Sequence, residues 1–231
     1  MKRTAGAISA AHARHFLLPQ FDAIGEGAAF LGPRYIEVIG PNIRAGRHLH
    51  ANAERSNPVK ICVWFSGERL GRIEIGDYVL ISPGARIISS ISIAIGSNTM
   101  IASGCYISDS DWHSLYDRTS EEGHAKPVVI EENVWLGLNA IVGKGVTIGR
   151  NSVIGAGSVV AGDIPPNVVA AGNPAVVRRE LDPQRDIRTR AHFFADPVTL
   201  GRTIDGLDRA FLKTNTTIGW LRSKWFPSRH D

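Results

Sequence analysis

The chain has 231 residues, a hydrophobic fraction of 43% and two cysteines. This length suits one main domain with an appendage. No apolar run approaches the roughly 20 residues needed to span a bilayer, and Cys62 and Cys105 are too few for a disulfide framework. The formal charge of +4 belongs to the end of the chain, where residues 183–231 hold nine Lys/Arg against five Asp/Glu. The remainder is neutral and lacks the basic stripe with interleaved aromatics that indicates nucleic-acid binding.

Residues 1–33 show no clear period and are predicted to form an N-terminal cap segment. Met1–Arg3 followed by small residues imitates a secretion signal, but His12 and Arg14 interrupt any apolar stretch. This interruption favours a cytoplasmic protein. His15–Leu18 is predicted as a short helix that packs on the following domain and closes its open end.

From residue 34 onward, apolar residues begin to recur every six positions. A ragged first turn is predicted around Ile36–Ile43, with a strand-like segment at Val59–Phe65. The recurrence then becomes regular, apart from a slip of two residues near Ile91–Ile93. Its members are Ile75, Ile81, Ile87, Ile95, Ile101 and Ile107.

The repeat stops between Ile107 and Ile130. The intervening residues 108–129 are polar, contain two histidines and several acids, and end close to Pro127. They are predicted to form a long loop that leaves the repeating scaffold, and loops on rigid scaffolds often carry function.

The repeat is clearest from Ile130 to Ile164. Its aliphatic positions are Ile130, Leu136, Val142, Ile148, Ile154 and Val160. The residue after each is mostly glycine or alanine, which we expect to permit the tight corner that follows. A period of six fits neither a helix nor a half-buried strand. It predicts an all-β fold of short parallel strands wound into a triangular prism, whose coils are stable only when several stack.

The chain from about Gly71 to Leu181 resembles the hexapeptide-repeat acetyltransferases, which include galactoside and maltose O-acetyltransferases and sugar O-acetyltransferases of polysaccharide biosynthesis. The motifs that carry the resemblance are Asn133–Gly137, Val146–Gly149, Ile154–Val160 and Asp163–Ala175. The resemblance implies a left-handed β-helix over 34–181, a homotrimer with active sites between subunits, and acetyl-CoA in the groove between two prisms.

The resemblance also assigns a catalytic base, because relatives carry a histidine just after the last hexad before the loop. His113 occupies that place, and histidine suits proton transfer near neutral pH. His113 would take the acceptor proton and return it to the leaving thiolate, while a backbone N–H holds the oxyanion. His124 is the rival base, although its charged neighbours favour a solvated surface.

Residues around His113 are candidates for orienting it or for binding the acceptor. Asp111 and Asp109 could orient the imidazole, and in an extended segment Asp111 and His113 would face the same side. A solvated acid is the alternative for each. Trp112 and Tyr116 could stack on a sugar ring, with Asp109 beside them, or could merely anchor the loop.

Matched positions imply the cofactor residues. Those expected to line the pantetheine channel are Trp135, Gly137, Leu138, Ala156 and Ala161, although the small ones are also corner residues that the repeat requires. Asn173 and Pro174 follow, and Arg178 or Arg179 would hold the CoA phosphates. Val176 stands where some relatives have another arginine, so Lys144 or Arg150 of a neighbour is an alternative anchor.

The segment 182–231 is predicted to be a basic helical C-terminal extension, with helices over Asp186–Phe194 and Val198–Leu212. Its end, Ile218–Pro227, combines two tryptophans with positive charge. This pattern indicates either an arm that packs on the helical stack of coils or a neighbouring subunit, or a contact with a membrane surface.

The predicted function is acetyl-CoA-dependent O-acetylation of a sugar or glycan-precursor hydroxyl. The alternatives are N-acetylation of a nucleotide-linked amino sugar and a non-catalytic β-helix scaffold. Zinc carbonic anhydrases share the scaffold but need three histidine ligands, and only His113 and His124 are available in the late coils and loop. No metal is therefore expected.

Overall fold

A computed structural model of the protein describes residues 2–66, 69–119 and 123–196, and the single residues 198, 200, 202, 206, 210, 222 and 225. The chain begins with helix α1 (Lys2–His12), which continues into a π-helical turn at Ala13–Leu17 and a 3₁₀ turn at Leu18–Gln20. Leu17 and Phe21 are buried against the first coils. The segment predicted as a short capping helix is thus helical and contributes an apolar anchor to the core.

Short strands then follow one another to Glu180. In chain order they are β1 (Ala23–Ile24), β2 (Ala29–Leu31), β3 (Ile36–Ile39), β4 (Ile43–Ala45), β5 (His50–Asn52), β6 (Val59–Val63), β7 (Phe65–Ser66), β8 (Arg69–Leu70), β9 (Ile73–Ile75), β10 (Leu80–Ile81), β11 (Arg86–Ser89), β12 (Ile93–Ile95), β13 (Met100–Ile101), β14 (Tyr106–Ser108), β15 (Val128–Ile130), β16 (Trp135–Leu136), β17 (Ile141–Val142), β18 (Thr147–Ile148), β19 (Val153–Ile154), β20 (Val159–Val160), β21 (Val168–Gly172) and β22 (Ala175–Glu180). Further 3₁₀ turns lie at Pro33–Tyr35 and Arg190–Phe194.

Every third strand joins the same parallel sheet, which makes a triangular β-helix. The first face is β1-β4-β9-β12-β15-β18, the second is β2-β5-β10-β13-β16-β19-β21-β22, and the third is β3-β6-β11-β14-β17-β20. Two antiparallel pairs interrupt the pattern, namely the hairpin β7–β8 and the closing hairpin β21–β22. The coils begin at Ala23, earlier than the domain start at residue 34 expected from the sequence.

The aliphatic position of each hexad fills the interior, as the repeat predicted. Ile130, Leu136, Val142, Ile148, Ile154 and Val160 are all at most 1% exposed. Each coil therefore buries one aliphatic side chain per face, and the stacked coils share one continuous core. Burial of such a side chain contributes roughly 1.5–3 kcal/mol.

Where glycine follows the aliphatic residue, it does not form the corner itself, as had been expected. The left-handed backbone at the corners belongs to residues further on, including Asn139 and Asn151. Gly137 instead lies against the next coil, where an added Cβ would come within 2.6 Å of the Ile154 carbonyl oxygen. At Gly137 glycine is thus required by a close approach between coils, whereas the left-handed corner positions are held by asparagine or by glycines such as Gly145 and Gly157, which tolerate this conformation.

Three edges separate the faces, and we name them by their contents. The tail edge joins the first and second faces and includes Tyr78 and Asn98. The glycine edge joins the second and third faces at 137–139, 155–157 and 171–174. The loop edge joins the third and first faces at 89–92, 109–127, 143–145 and 161–163.

The segment after Leu181 returns along the tail edge. The prediction of a helix over Asp186–Phe194 is wrong for its first part, since only Arg190–Phe194 forms a 3₁₀ turn. The segment is attached to the prism by two hydrogen bonds. Arg190 Nε donates to the Tyr78 carbonyl (2.8 Å), and Ala191 N–H donates to Asn98 Oδ1 (2.8 Å). The ring centroids of Phe194 and His48 are 4.4 Å apart. The predicted helix over Val198–Leu212 and the aromatic end Ile218–Pro227 lie mostly outside the described residues.

Candidate active site

The polar segment at the loop edge leaves the prism after β14 and returns at β15. Its two arms pair at their base through an antiparallel bridge between Ser110 and Ala125. Asp111 N–H donates to the His124 carbonyl (3.2 Å), and Lys126 N–H donates to the Asp109 carbonyl (2.9 Å). The base of the loop is therefore a short ordered ribbon that continues from the rigid coil.

Asp109, the first residue of this segment, is fully buried. Its carboxylate accepts bonds from the backbone N–H groups of Ser90 (2.7 Å), Ile91 (2.9 Å) and Ser92 (2.7 Å). It also accepts from Ser89 Oγ (2.7 Å) and Ser90 Oγ (3.3 Å). These donors belong to the turn where the hexad period slips, so Asp109 satisfies the extra backbone groups of that turn. The carboxylate is thus buried and bonded within this turn, not bonded to the imidazole or exposed to an acceptor as the sequence had predicted.

Asp111 forms an ion pair with Lys144, which lies at the corner of the next coil. Trp112 adopts a left-handed backbone with φ of 66°, so the segment is not extended and the argument that put Asp111 and His113 on one side does not apply. The carboxylate that was expected to orient the imidazole instead fastens the loop to the prism.

His113 is exposed on this loop. Its backbone lies against Gly123, where an added Cβ would be 2.6 Å from Trp112 N and 2.8 Å from His113 N. Within the parts of the chain that the structure describes, no side chain forms a hydrogen bond with the His113 ring. On the same loop, Tyr116 is 97% exposed and Trp112 is half-buried.

The residues matched to the cofactor groove divide between two edges. Trp135 (47% exposed) and Leu138 (52% exposed) lie at or beside the glycine edge. The coils meet closely here, because Gly157 N–H donates to the Leu138 carbonyl (2.7 Å). The other matched residues at this edge are Gly137, Ala156, Asn173 and Pro174, the last two joined by a cis peptide bond. Ala161 lies apart from them at the loop edge.

The two arginines proposed for the phosphates lie on β22. Arg178 folds back, since its Nε donates to the Ala171 carbonyl (3.1 Å). Arg179 is exposed and pairs in register with Val169. Lys144, an alternative anchor for the phosphates, is paired with Asp111. The two residues are 33 positions apart in the chain, and the fold brings them together.

Lys144 should therefore position the His113 segment. His113 is the base predicted from the sequence, so we expect Lys144→Met to lower kcat about tenfold by displacing its segment, since small displacements of a catalytic group are costly, with the KM for the donor unchanged. Lys144→Arg should restore kcat, and steady-state kinetics measures both. The exposed Lys126→Met, the same charge change at the loop base, should leave kcat unchanged. An equal loss in both methionine variants would contradict a specific role for Lys144.

Among the described residues, no group of three or more His, Cys, Asp or Glu side chains could hold a metal ion. None of the helices in that part of the chain combines the length and the apolar character needed to cross a membrane.

The repeated prism with a histidine-bearing loop at one edge defines a hexapeptide-repeat protein. Residues 127–161 match the family described as the hexapeptide repeat of succinyl-transferase. The galactoside O-acetyltransferase of Escherichia coli K12 is 33% identical over 178 residues, covering 76% of this chain and 70% of that protein. This chain belongs to the hexapeptide-repeat acetyltransferases and is an acyltransferase.

Two further proteins are similar to this chain. The polysialic acid O-acetyltransferase of Escherichia coli O1:K1 is 39% identical over 114 residues, covering 48% of this chain and 37% of that protein. A Vibrio cholerae hexapeptide-repeat acetyltransferase, solved in complex with acetyl-CoA, has a TM-score of 0.50 and 29% identity over 75% of this chain and 78% of that one.

Proposed function

We propose that this protein transfers an acetyl group from acetyl-CoA to a hydroxyl of a sugar or glycan precursor, with His113 as the general base. The observation that carries the proposal is an exposed histidine on an anchored loop of an acetyltransferase prism. The solved Vibrio cholerae relative binds acetyl-CoA, and the two curated relatives are named for galactosides and polysialic acid.

The reaction needs one proton to move twice. The neutral His113 ring takes the hydroxyl proton as the acceptor oxygen attacks the thioester carbonyl, and a tetrahedral oxyanion forms. Backbone N–H groups at a coil corner would stabilise this oxyanion. The C–S bond then breaks, the imidazolium returns the proton to sulfur, and the products are an acetyl ester and free CoA.

The donor would lie along the glycine edge. Trp135 and Leu138 offer exposed apolar surface there, while Ala156 leaves room for the thin pantetheine arm. The Asn173–Pro174 turn lies at one end of this surface, and Arg179 on the adjoining strand is an exposed cation that could bind a phosphate.

The complete site would form between protomers of a homotrimer of left-handed prisms. In one chain the third face, with Ile141 41% exposed, separates the glycine edge from the loop edge. A donor on the glycine edge of one protomer would therefore meet His113 on the loop edge of its neighbour. This arrangement accounts for the position of Ala161, which would line the donor from the loop side.

The test is release of CoA thiol by purified protein with acetyl-CoA and a panel of sugars and glycans. Cys62 and Cys105 are buried, and burial raises the pKa of Cys105 to about 11, so native protein thiols add little background. We expect acceptor-dependent release and an alkali-labile ester in the product. An alkali-stable amide would favour the amino-sugar alternative, and no release with any acceptor would contradict the proposal.

A further inference from the structure

The hairpin β7–β8 leaves the prism at the loop edge, in the second coil, and presents large apolar side chains to solvent. Trp64 is 52% exposed and Phe65 is 72% exposed. Leu70, paired directly opposite Phe65, is 36% exposed. Exposed apolar groups gathered at one place on a soluble protein mark a binding surface more often than chance.

The root of this hairpin is fixed rather than free. Trp64 N–H donates to the Ser89 carbonyl (2.9 Å) on the next coil. On the returning arm, Gly71 lies so close that an added Cβ would be 2.6 Å from the same oxygen. Both arms of the hairpin are thus held against Ser89, and Trp64 follows directly from the buried strand β6.

Ser89 also connects the hairpin to the His113 loop. Its hydroxyl donates to Asp109 (2.7 Å) at the base of that loop. Trp64, Ser89 and Asp109 therefore occupy the same edge in three successive coils. Two coil spacings, about 10 Å along the prism, therefore separate Trp64 from Asp109 at the base of the His113 loop. This distance is comparable with the length of a disaccharide.

We propose that Trp64 and Phe65 form a distal subsite for a glycan acceptor whose reacting hydroxyl lies at His113. Tyr116, 97% exposed on the loop, would contact the acceptor between the two. Flat aromatic faces suit the apolar faces of sugar rings, and the Trp64 indole N–H can bond to a hydroxyl. The inference rests on the proposed function and deepens it, because it makes the preferred acceptor an oligosaccharide rather than a single sugar.

Binding measurements test the subsite without requiring turnover. The probes are glucose, galactose and sialic acid, each compared with its own hexamer by titration calorimetry, using the His113→Ala enzyme so that nothing reacts. We expect at least one hexamer to bind at least tenfold more tightly than its monomer. Adding Trp64→Ala and Phe65→Ala should remove that difference, whereas adding Phe193→Ala, an equally exposed aromatic residue (62%) at the tail edge, should preserve it.

The outcomes separate this proposal from the proposed function. A hexamer preference that persists after Trp64→Ala and Phe65→Ala would overturn the subsite, as would a His113→Ala protein that binds no hexamer more tightly than its monomer. Sedimentation velocity tests the rival occupant of this surface. A change in assembly mass in the Trp64→Ala, Phe65→Ala protein would make the patch an interface between copies and would also overturn the subsite. Failure of acetyl transfer with intact hexamer binding would instead contradict the proposed function alone.

Discussion

His113→Ala is expected to lower turnover by about a hundredfold or more, because a positioned general base contributes roughly 10²–10⁴ to the rate. The imidazole is exposed, so its removal leaves no cavity and the fold should be unaffected. Acceptor-dependent CoA release measures turnover, and calorimetric titration with CoA measures donor binding, which should stay close to that of the wild type.

His124→Ala provides the matched control for this experiment. His124 lies on the opposite arm of the same loop and is also exposed, and its backbone carbonyl, which accepts from Asp111 N–H, is retained in the variant. We expect it to keep nearly full turnover. If His124→Ala lost activity while His113→Ala kept it, the assignment of the base would have to be exchanged.

Asp109→Ala is expected to lower the free energy of unfolding by about 3–5 kcal/mol, because several buried donors lose a charged acceptor at once. Three backbone N–H groups and two hydroxyls of the Ser89–Ser92 turn depend on this carboxylate. Asp109→Asn should also destabilise, since its amide NH₂ would face donors. Urea denaturation followed by circular dichroism measures both variants.

Asp111→Asn is the control that distinguishes the loss of the buried Asp109 carboxylate from a general weakening of the loop. Asp111 lies two residues further along, and its ion pair with Lys144 is partly exposed, with side-chain exposures of 32% and 28%. Ion pairs of this kind contribute about 0–1 kcal/mol, so the unfolding free energy should change little. Comparable losses in the Asp109 and Asp111 variants would mean that the buried carboxylate has no special structural role.

Both the slip in the repeat and Asp109 were visible in the sequence, but their connection was not. The two-residue irregularity near Ile91–Ile93 gave no indication of how its backbone groups would be satisfied. The answer lies 17–19 residues further along, where the next coil brings Asp109 beneath the turn. Hydrogen bonds between successive coils depend on their stacking, which periodicity locates only approximately.

The sequence by itself determined the prism and its inward residues, because a strict period of six allows only one face of each short strand to be buried. It also placed His113 at the boundary of the repeat, where a resemblance could assign it a role. Only the tertiary structure decided the partners of the acids, pairing Asp111 with Lys144 and burying Asp109, and it alone placed Trp64 on the edge that carries His113. These relations join residues distant in the chain, and winding the coils onto one another is what brings them together.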